Sequence, residues 1–373
     1  MTRSAKSSTT PTARLHALGQ SLWLDSISRE LLDSGTLETY LADLSVTGLT
    51  SNPTIFQQAI SSGAAYERPA RDLRERGVTG EALVFELALD DIRAAADLLL
   101  STWERTAGAD GWVSLEVSPR LANDTAGSLA AARELHTRAG RHNVMIKIPG
   151  TAAGLPAIEE ATFAGVPINV TLLFSREQYL AAAEAWMRGI ERRIAAGLRA
   201  DVTSVGSVFV SRWDKAVHQQ VPAVLRNTLG IAMARRCYAA SRELQDSTRW
   251  LAAANSGARP QRLLWGSTGT KDPAARDTLY VEALAAPLTV NTMPEATLKA
   301  FADHGTLGSA LPADGGDCEA VIARFVQAGV DVDALAARLQ TEGVSAFEAS
   351  WASLLDALEN PVPRPSRREE ASR

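Results

Sequence analysis

The stretch "HNVMIKIPG" (residues 142–150) decides how this chain is read. It is a short β-branched and apolar run with a single charge, Lys147, near its end. Side chains alternate across a strand, so Val144, Ile146 and Ile148 share one face while Asn143, Met145 and Lys147 share the other. The aliphatic face suits a covering helix. The amine on the opposite face is costly to bury unless it is paired or neutral. The composition sharpens the point: of 38 Lys+Arg, only Lys6, Lys147, Lys215, Lys271 and Lys299 are lysine. A chain that uses arginine for nearly every positive charge keeps lysine in the least hospitable place.

Outward from this run lie seven more strand-like segments. They are "SLWLDS" (21–26), "VTGLTS" (46–51), "GWVSLEVS" (111–118), "PINVTLLF" (167–174), "VTSVGSVFV" (202–210), "RLLWGS" (262–267) and "PLTVNT" (287–292). Ala/Leu/Arg/Glu stretches of helical period lie between most of them, at 79–106, 124–140 and 176–197 among others. Eight strands alternating with helices predict an α/β fold, a (β/α)8 TIM barrel. The region after residue 295 adds C-terminal helices, and "AFEASWASLLDAL" (346–358) reads as an amphipathic closing helix whose Phe347, Trp351, Leu354, Leu355 and Leu358 serve packing. No linker or repeat divides the chain, which predicts a single domain over 13–359. Residues 1–12 (Ser/Thr/Lys-rich) and 360–373 (Pro/Arg/Glu-rich) read as disordered tails.

The bulk numbers exclude several classes. A net charge of −5 with no basic block argues against nucleic acid as a partner, although local charge leaves a small anionic substrate open. No run approaches the roughly 20 apolar residues that cross a membrane, and the N-terminus has no apolar core for a secretory signal. Cys237 and Cys318 fit no zinc spacing and read as reduced thiols of a cytoplasmic protein. The five histidines form no HxH or HExxH pair, so no metal site is expected.

The parity rule, applied strand by strand, separates two sets of residues. Leu22, Leu24, Val113, Leu115, Val117, Val170, Leu172, Val208 and Val210 are expected to face the helices. Trp23, Asp25, Trp112, Ser114, Glu116, Ser118, Asn169, Thr171, Ser207 and Phe209 join Asn143, Met145 and Lys147 in the lumen. Singly, an inward Asn or Thr is an ordinary satisfied polar group, and a Lys–Glu pair can be structural. Together they put two acids and an amine where barrel cores hold branched apolar residues, mostly near the strand C-termini where barrel active sites lie. A neutral lysine amine can attack a carbonyl to form a Schiff base, which a guanidinium cannot. Asp25 and Glu116 can divide the proton transfers, while Asn169 and Thr171 can hold a polyhydroxylated substrate or a water. This is the apparatus of a class I aldolase-type enzyme.

The motifs "GLTSNPTIF" (48–56), "SLEVSPRLANDT" (114–125), "IKIPGT" (146–151), "INVTLLFS" (168–175), "VGSVFVSRWD" (205–214) and "DTLYVEALAAPLTVNTMP" (277–294) resemble the transaldolase family, in order, from about residue 15 to 358. The "STGTKDP" segment looks like the longer bacterial members. The resemblance implies a circularly permuted relative of the class I aldolase barrel, without cofactor or metal, acting in the pentose phosphate pathway. It would move a dihydroxyacetone unit from sedoheptulose 7-phosphate to glyceraldehyde 3-phosphate. Lys147 matches the family's Schiff-base lysine, and Asp25 the acid that takes the proton from the hydroxyl β to the imine. Asn52 and Asn169 match amides that hold the dihydroxyacetone unit, and Glu116 and Thr171 the pair that positions a water. Ser207 and Arg212 match substrate and phosphate contacts, with Phe209 in the wall between them. One departure stands out: many members carry a second phosphate-binding arginine after the seventh strand, where this chain has Thr270 or Lys271, depending on a one-residue gap. Lys271 would supply charge without the bidentate fork. A simple fructose-6-phosphate aldolase using the same lysine is the nearest rival, and a non-catalytic sugar-phosphate-binding barrel a more distant one. The family's members act as monomers or homodimers.

Overall fold

Eight short strands pair in chain order, all parallel, and the last pairs with the first. They are β1 (Gln20–Asp25), β2 (Val46–Thr50), β3 (Val113–Glu116), β4 (Val144–Pro149), β5 (Ile168–Leu173), β6 (Ser204–Phe209), β7 (Arg262–Gly266) and β8 (Thr289–Met293). Each expected strand is present, with its ends adjusted. This computed structural model describes residues 10–360. The expected tails lie outside the described residues except at 10–12 and 360. The helix Pro11–Ala17 starts inside the expected N-terminal tail, with Thr10 as its cap, so ordered structure begins ahead of the predicted boundary at 13.

Helices Gly80–Arg105, Thr125–Ala139 and Arg176–Ala195 fill the expected intervals. The outer faces of the strands, including Leu24, Val113, Ile146, Ile148, Val170 and Val208, share one apolar core with these helices. Inside the barrel, Trp23, Trp112, Met145, Val205, Leu264 and Val290 form a separate cluster that plugs the N-terminal half of the lumen. The Trp23 indole N–H donates to Asp110 at 2.7 Å, and Thr47 donates to the other carboxylate oxygen at 2.7 Å. Gly48 makes room for that indole: a Cβ there would sit 2.5 Å from Trp23 Nε1. With the bottom packed, the polar lumen residues are left at the C-terminal mouth.

Three parity expectations fail, each where the strand is irregular or the residue lies outside it. Asn143 precedes β4 and donates to the backbone carbonyls of Ala96 and Gly111, away from the lumen. Ser118 lies beyond β3 and donates to Glu81 of the helix Gly80–Arg105. Leu172 takes a left-handed φ of 58°, and the pairing register of β5 shifts between Val170 and Leu173. Leu173 therefore takes the helix-facing place, while Leu172 joins a second cluster with Phe174, Phe209 and Phe347. The closing helix is also longer than expected. It spans Val332–Glu359, packs on the helix Pro53–Ser62, and reaches the end of β5, where Gln340 donates to the carbonyls of Gly150 and Leu172. Among the described residues, no helix is long and apolar enough to cross a membrane.

Candidate active site

Parallel register sets the centre of the site. Glu116 pairs with Lys147 across β3–β4, and Lys147 with Asn169 across β4–β5, so three inward side chains stand side by side. Lys147 is 5% exposed. Its Nζ lies 3.1 Å from Glu116 Oε2 and donates to the Ser51 carbonyl at 3.0 Å. The ion pair is close but poorly aligned as a hydrogen bond, and neither Glu116 oxygen meets another donor among the described residues. Burial pushes the Glu116 carboxyl up, opposed mainly by Lys147.

Asp25 ends β1 opposite Thr50 of β2. Thr50 donates to Asp25 Oδ1 at 2.7 Å and is itself bonded to the Thr292 hydroxyl of β8. Burial also raises the Asp25 carboxyl, while Lys147, the Thr50 hydrogen bond and Lys271 pull it down. Asn169 is fully buried, donating to Ser114 Oγ at 3.1 Å and accepting from Ser207 Oγ at 2.7 Å. Thr171 lies two residues on, also fully buried, its hydroxyl without a partner among the described residues. Asn52 follows β2 as the N-cap of the helix Pro53–Ser62, a position that favours Asn before Pro. Its Oδ1 accepts from the Ile55 N–H at 3.0 Å, which points the amide nitrogen to other uses.

Asp25, Asn52, Lys147, Ser207, Phe209, Arg212 and Lys271 line one cavity of about 430 Å³. Glu116, Asn169 and Thr171 stand outside that lining, the first paired with Lys147 and the second bonded to Ser207 of its wall. Arg212 sits in the first turn of the helix Ser211–Val217, directly after β6, with its guanidinium carbon 5.1 Å from the Phe209 ring centroid. Lys271 is exposed at the rim. Sequence reasoning missed Thr50 and Thr292, which bear on Asp25, and Phe347, read as packing, which lines the cavity. The alternation of β2 carried a usable signal for Thr50. Nothing local marked Phe347.

An amine paired with a glutamate at a barrel mouth, sharing a cavity with a second acid, is the equipment of a Schiff-base enzyme of class I aldolase type. The comparisons agree. The model of the Transaldolase/Fructose-6-phosphate aldolase family matches residues 22–358, and the chain belongs to that family. Transaldolase 1 of Streptomyces coelicolor is 46% identical over 354 residues, covering 92% of this chain and 93% of that protein. Transaldolase of Thermobifida fusca is 46% identical over 355 residues, covering 93% and 96%. Transaldolase of Mycobacterium bovis is 43% identical over 353 residues, covering 92% and 95%. Among the described residues, no three His, Cys, Asp or Glu side chains are grouped to hold a metal ion.

Proposed function

We infer that this protein is a transaldolase of the pentose phosphate pathway, working through a Schiff base on Lys147. The observation that carries the reading is the buried Lys147 amine, 3.1 Å from Glu116 and in one cavity with Asp25. In the proposed cycle the amine adds to the ketose carbonyl, and loss of water gives an iminium. Asp25 takes the proton from the hydroxyl β to the imine, the adjacent carbon–carbon bond breaks, and the aldehyde leaves. The electron pair stays on the dihydroxyacetone unit as an enamine, which attacks the acceptor aldehyde in the reverse sequence. A carboxyl raised by burial is a stronger base for that proton.

Glu116 and Thr171 hold the water exchanged at the imine. Their oxygens lack another protein donor among the described residues, which suits them to a water. Asn52, Asn169 and Ser207 hold the hydroxyls of the dihydroxyacetone unit, Phe209 walls the site, and Arg212 with Lys271 takes the phosphate. The partners are small sugar phosphates. The enzyme works in the cytoplasm, as a monomer or homodimer, with one barrel domain carrying the whole activity.

Borohydride reduction in the presence of fructose 6-phosphate is the test. Wild type should trap a covalent adduct and Lys147→Ala none, while Asp25→Asn should trap substrate yet turn over about 10²–10⁴-fold more slowly. Trapping that survives Lys147→Ala sinks the Schiff base. Release of free dihydroxyacetone at full rate without an acceptor aldehyde would identify a simple aldolase instead.

A further inference from the structure

We propose that the closing helix is part of the anion site: Phe347 and Gly343 position Arg212 for the substrate phosphate and so set the preference for phosphorylated sugars. The proposal rests on the reading of Arg212 as the phosphate contact. Arg212 has aromatic rings from two distant parts of the chain. Its guanidinium carbon is 5.1 Å from the Phe209 centroid and 5.7 Å from that of Phe347. Phe209 ends β6, whereas Phe347 comes from the closing helix. Among the described residues no carboxylate lies within ion-pair distance of this guanidinium, so its N–H groups remain for an incoming anion. Glu342, the acid of the neighbouring turn, pairs with Arg338 of its own helix at 3.5 Å.

The helix comes this close only because residue 343 is glycine. A Cβ there would lie 2.9 Å from Leu172 Cδ2 and 3.1 Å from Arg212 Nη1. Glycine is a poor residue for the interior of a helix, so its presence inside this one matches a need for close approach. Two further features hold the helix in register. Gln340 donates to the carbonyls of Gly150 and Leu172 at 3.1 and 3.0 Å, at the C-terminal ends of the strands that carry Lys147 and Asn169. The left-handed Leu172 turns its side chain into the same cluster as Phe347. An arginine has several rotatable bonds, and fixing its plane beforehand lowers the cost of a forked phosphate contact. Phe347 is thus a positioning residue, and it acts on phosphate affinity.

The experiment compares Arg212→Ala, Phe347→Leu, Phe347→Tyr and Gly343→Ala with the parent. Two quantities are read: the ratio of kcat/KM for fructose 6-phosphate over unphosphorylated fructose, and the inhibition constant of inorganic phosphate. Phe347→Leu should lower the ratio and weaken phosphate inhibition by about tenfold, between the weights of an exposed and a desolvated cation–π contact. Gly343→Ala, which displaces the same guanidinium, should act in the same direction to a similar degree. Phe347→Tyr keeps the ring face and should recover most of that loss. If Arg212→Ala lowers the ratio but Phe347→Leu and Gly343→Ala do not, the positioning role is wrong and the phosphate reading stands. If Arg212→Ala itself changes neither quantity, the phosphate reading fails and this proposal with it. Equal losses on both sugars would mark Phe347 as general scaffold and overturn the proposal. Should Phe347→Leu fail to fold, Gly343→Ala decides, because it presses on the same guanidinium from the helix backbone.

Discussion

Replacing Lys147 by methionine removes the nucleophile, and it should also leave a buried carboxylate without its cation. The side chain of Glu116 is 3% exposed, and Lys147 is the cation that chiefly opposes its desolvation. Removing one partner of such a buried pair leaves an uncompensated charge, which costs about 3–5 kcal/mol. The carboxyl can escape by binding a proton, so the cost depends on pH. A Glu whose folded pKa lies above its unfolded value of about 4.3 holds its proton better when folded. Stability is then greatest below the unfolded pKa and falls as pH rises toward the folded one, by at most about 1.4 kcal/mol per pH unit for one proton. Without Lys147 the Glu116 pKa climbs further and the falling range widens upward. Lys147→Met should therefore be markedly less stable than the parent at about pH 8 and closer to it at about pH 5.5. The double variant Lys147→Met/Glu116→Gln has no charge to strand and should regain most of the loss. Urea unfolding of the parent, both single variants and the double at both pH values closes the cycle. A Lys147→Met protein equally stable at the two pH values would refute the reasoning, as would a double variant no more stable than the single.

Two further predictions concern the scaffold. Asp214, buried in the helix that carries Arg212, accepts from the backbone N–H groups of Leu229 and Gly230 at 2.9 and 3.2 Å and from the Tyr280 hydroxyl at 2.9 Å, yet burial pushes its pKa up to about 6. Its contribution is full below the unfolded value of about 3.9 and lost as pH rises through about 6, so Asp214→Asn should flatten the pH dependence of the unfolding midpoint over that range; an unchanged slope would show that another group titrates there. Gly48→Ala presses a methyl onto the Trp23 indole and should cost about 1–3 kcal/mol in denaturant unfolding, with a shift in tryptophan emission. An unaltered unfolding midpoint would mean that the lumen plug is looser than its packing implies.

The fold was legible because period-two alternation is a local property and a barrel repeats it eight times. Lys147, Glu116 and Asn169 could be put in one lumen without knowing any contact, since parallel pairing of regular strands carries a shared parity from one strand to the next. The same rule failed at Leu172, where the chain turns left-handed, and at Asn143 and Ser118, which lie outside the regular strands. Partners fixed by closure were harder to read. Thr50 was on a readable face, but its link to Thr292 exists only because β8 returns beside β1. Phe347 looked like every other apolar residue on its helix face. Its place over Arg212 depends on where a helix more than a hundred residues downstream crosses the barrel mouth.

The electrostatics of the lumen also explain why a buried site suits the cleavage step. Burial raises both Asp25 and Glu116, and for each the largest opposing influence is the charge on Lys147. In the proposed cycle, Schiff-base formation preserves that charge, because the iminium is also a cation. Cleavage then consumes an ion pair. Asp25 gains the proton of the substrate hydroxyl as the iminium becomes a neutral enamine, so an anion and a cation vanish together. Water would stabilise the charged side of this step, whereas a poorly solvated lumen penalises it. The desolvation that makes two acids around one amine costly in the resting protein therefore favours carbon–carbon cleavage. The Thr50 hydrogen bond and Lys271 pull the other way, favouring the carboxylate form of Asp25. Glu116, paired with the same amine but outside the cavity lining, takes in the proposed cycle the water-exchange steps at either end.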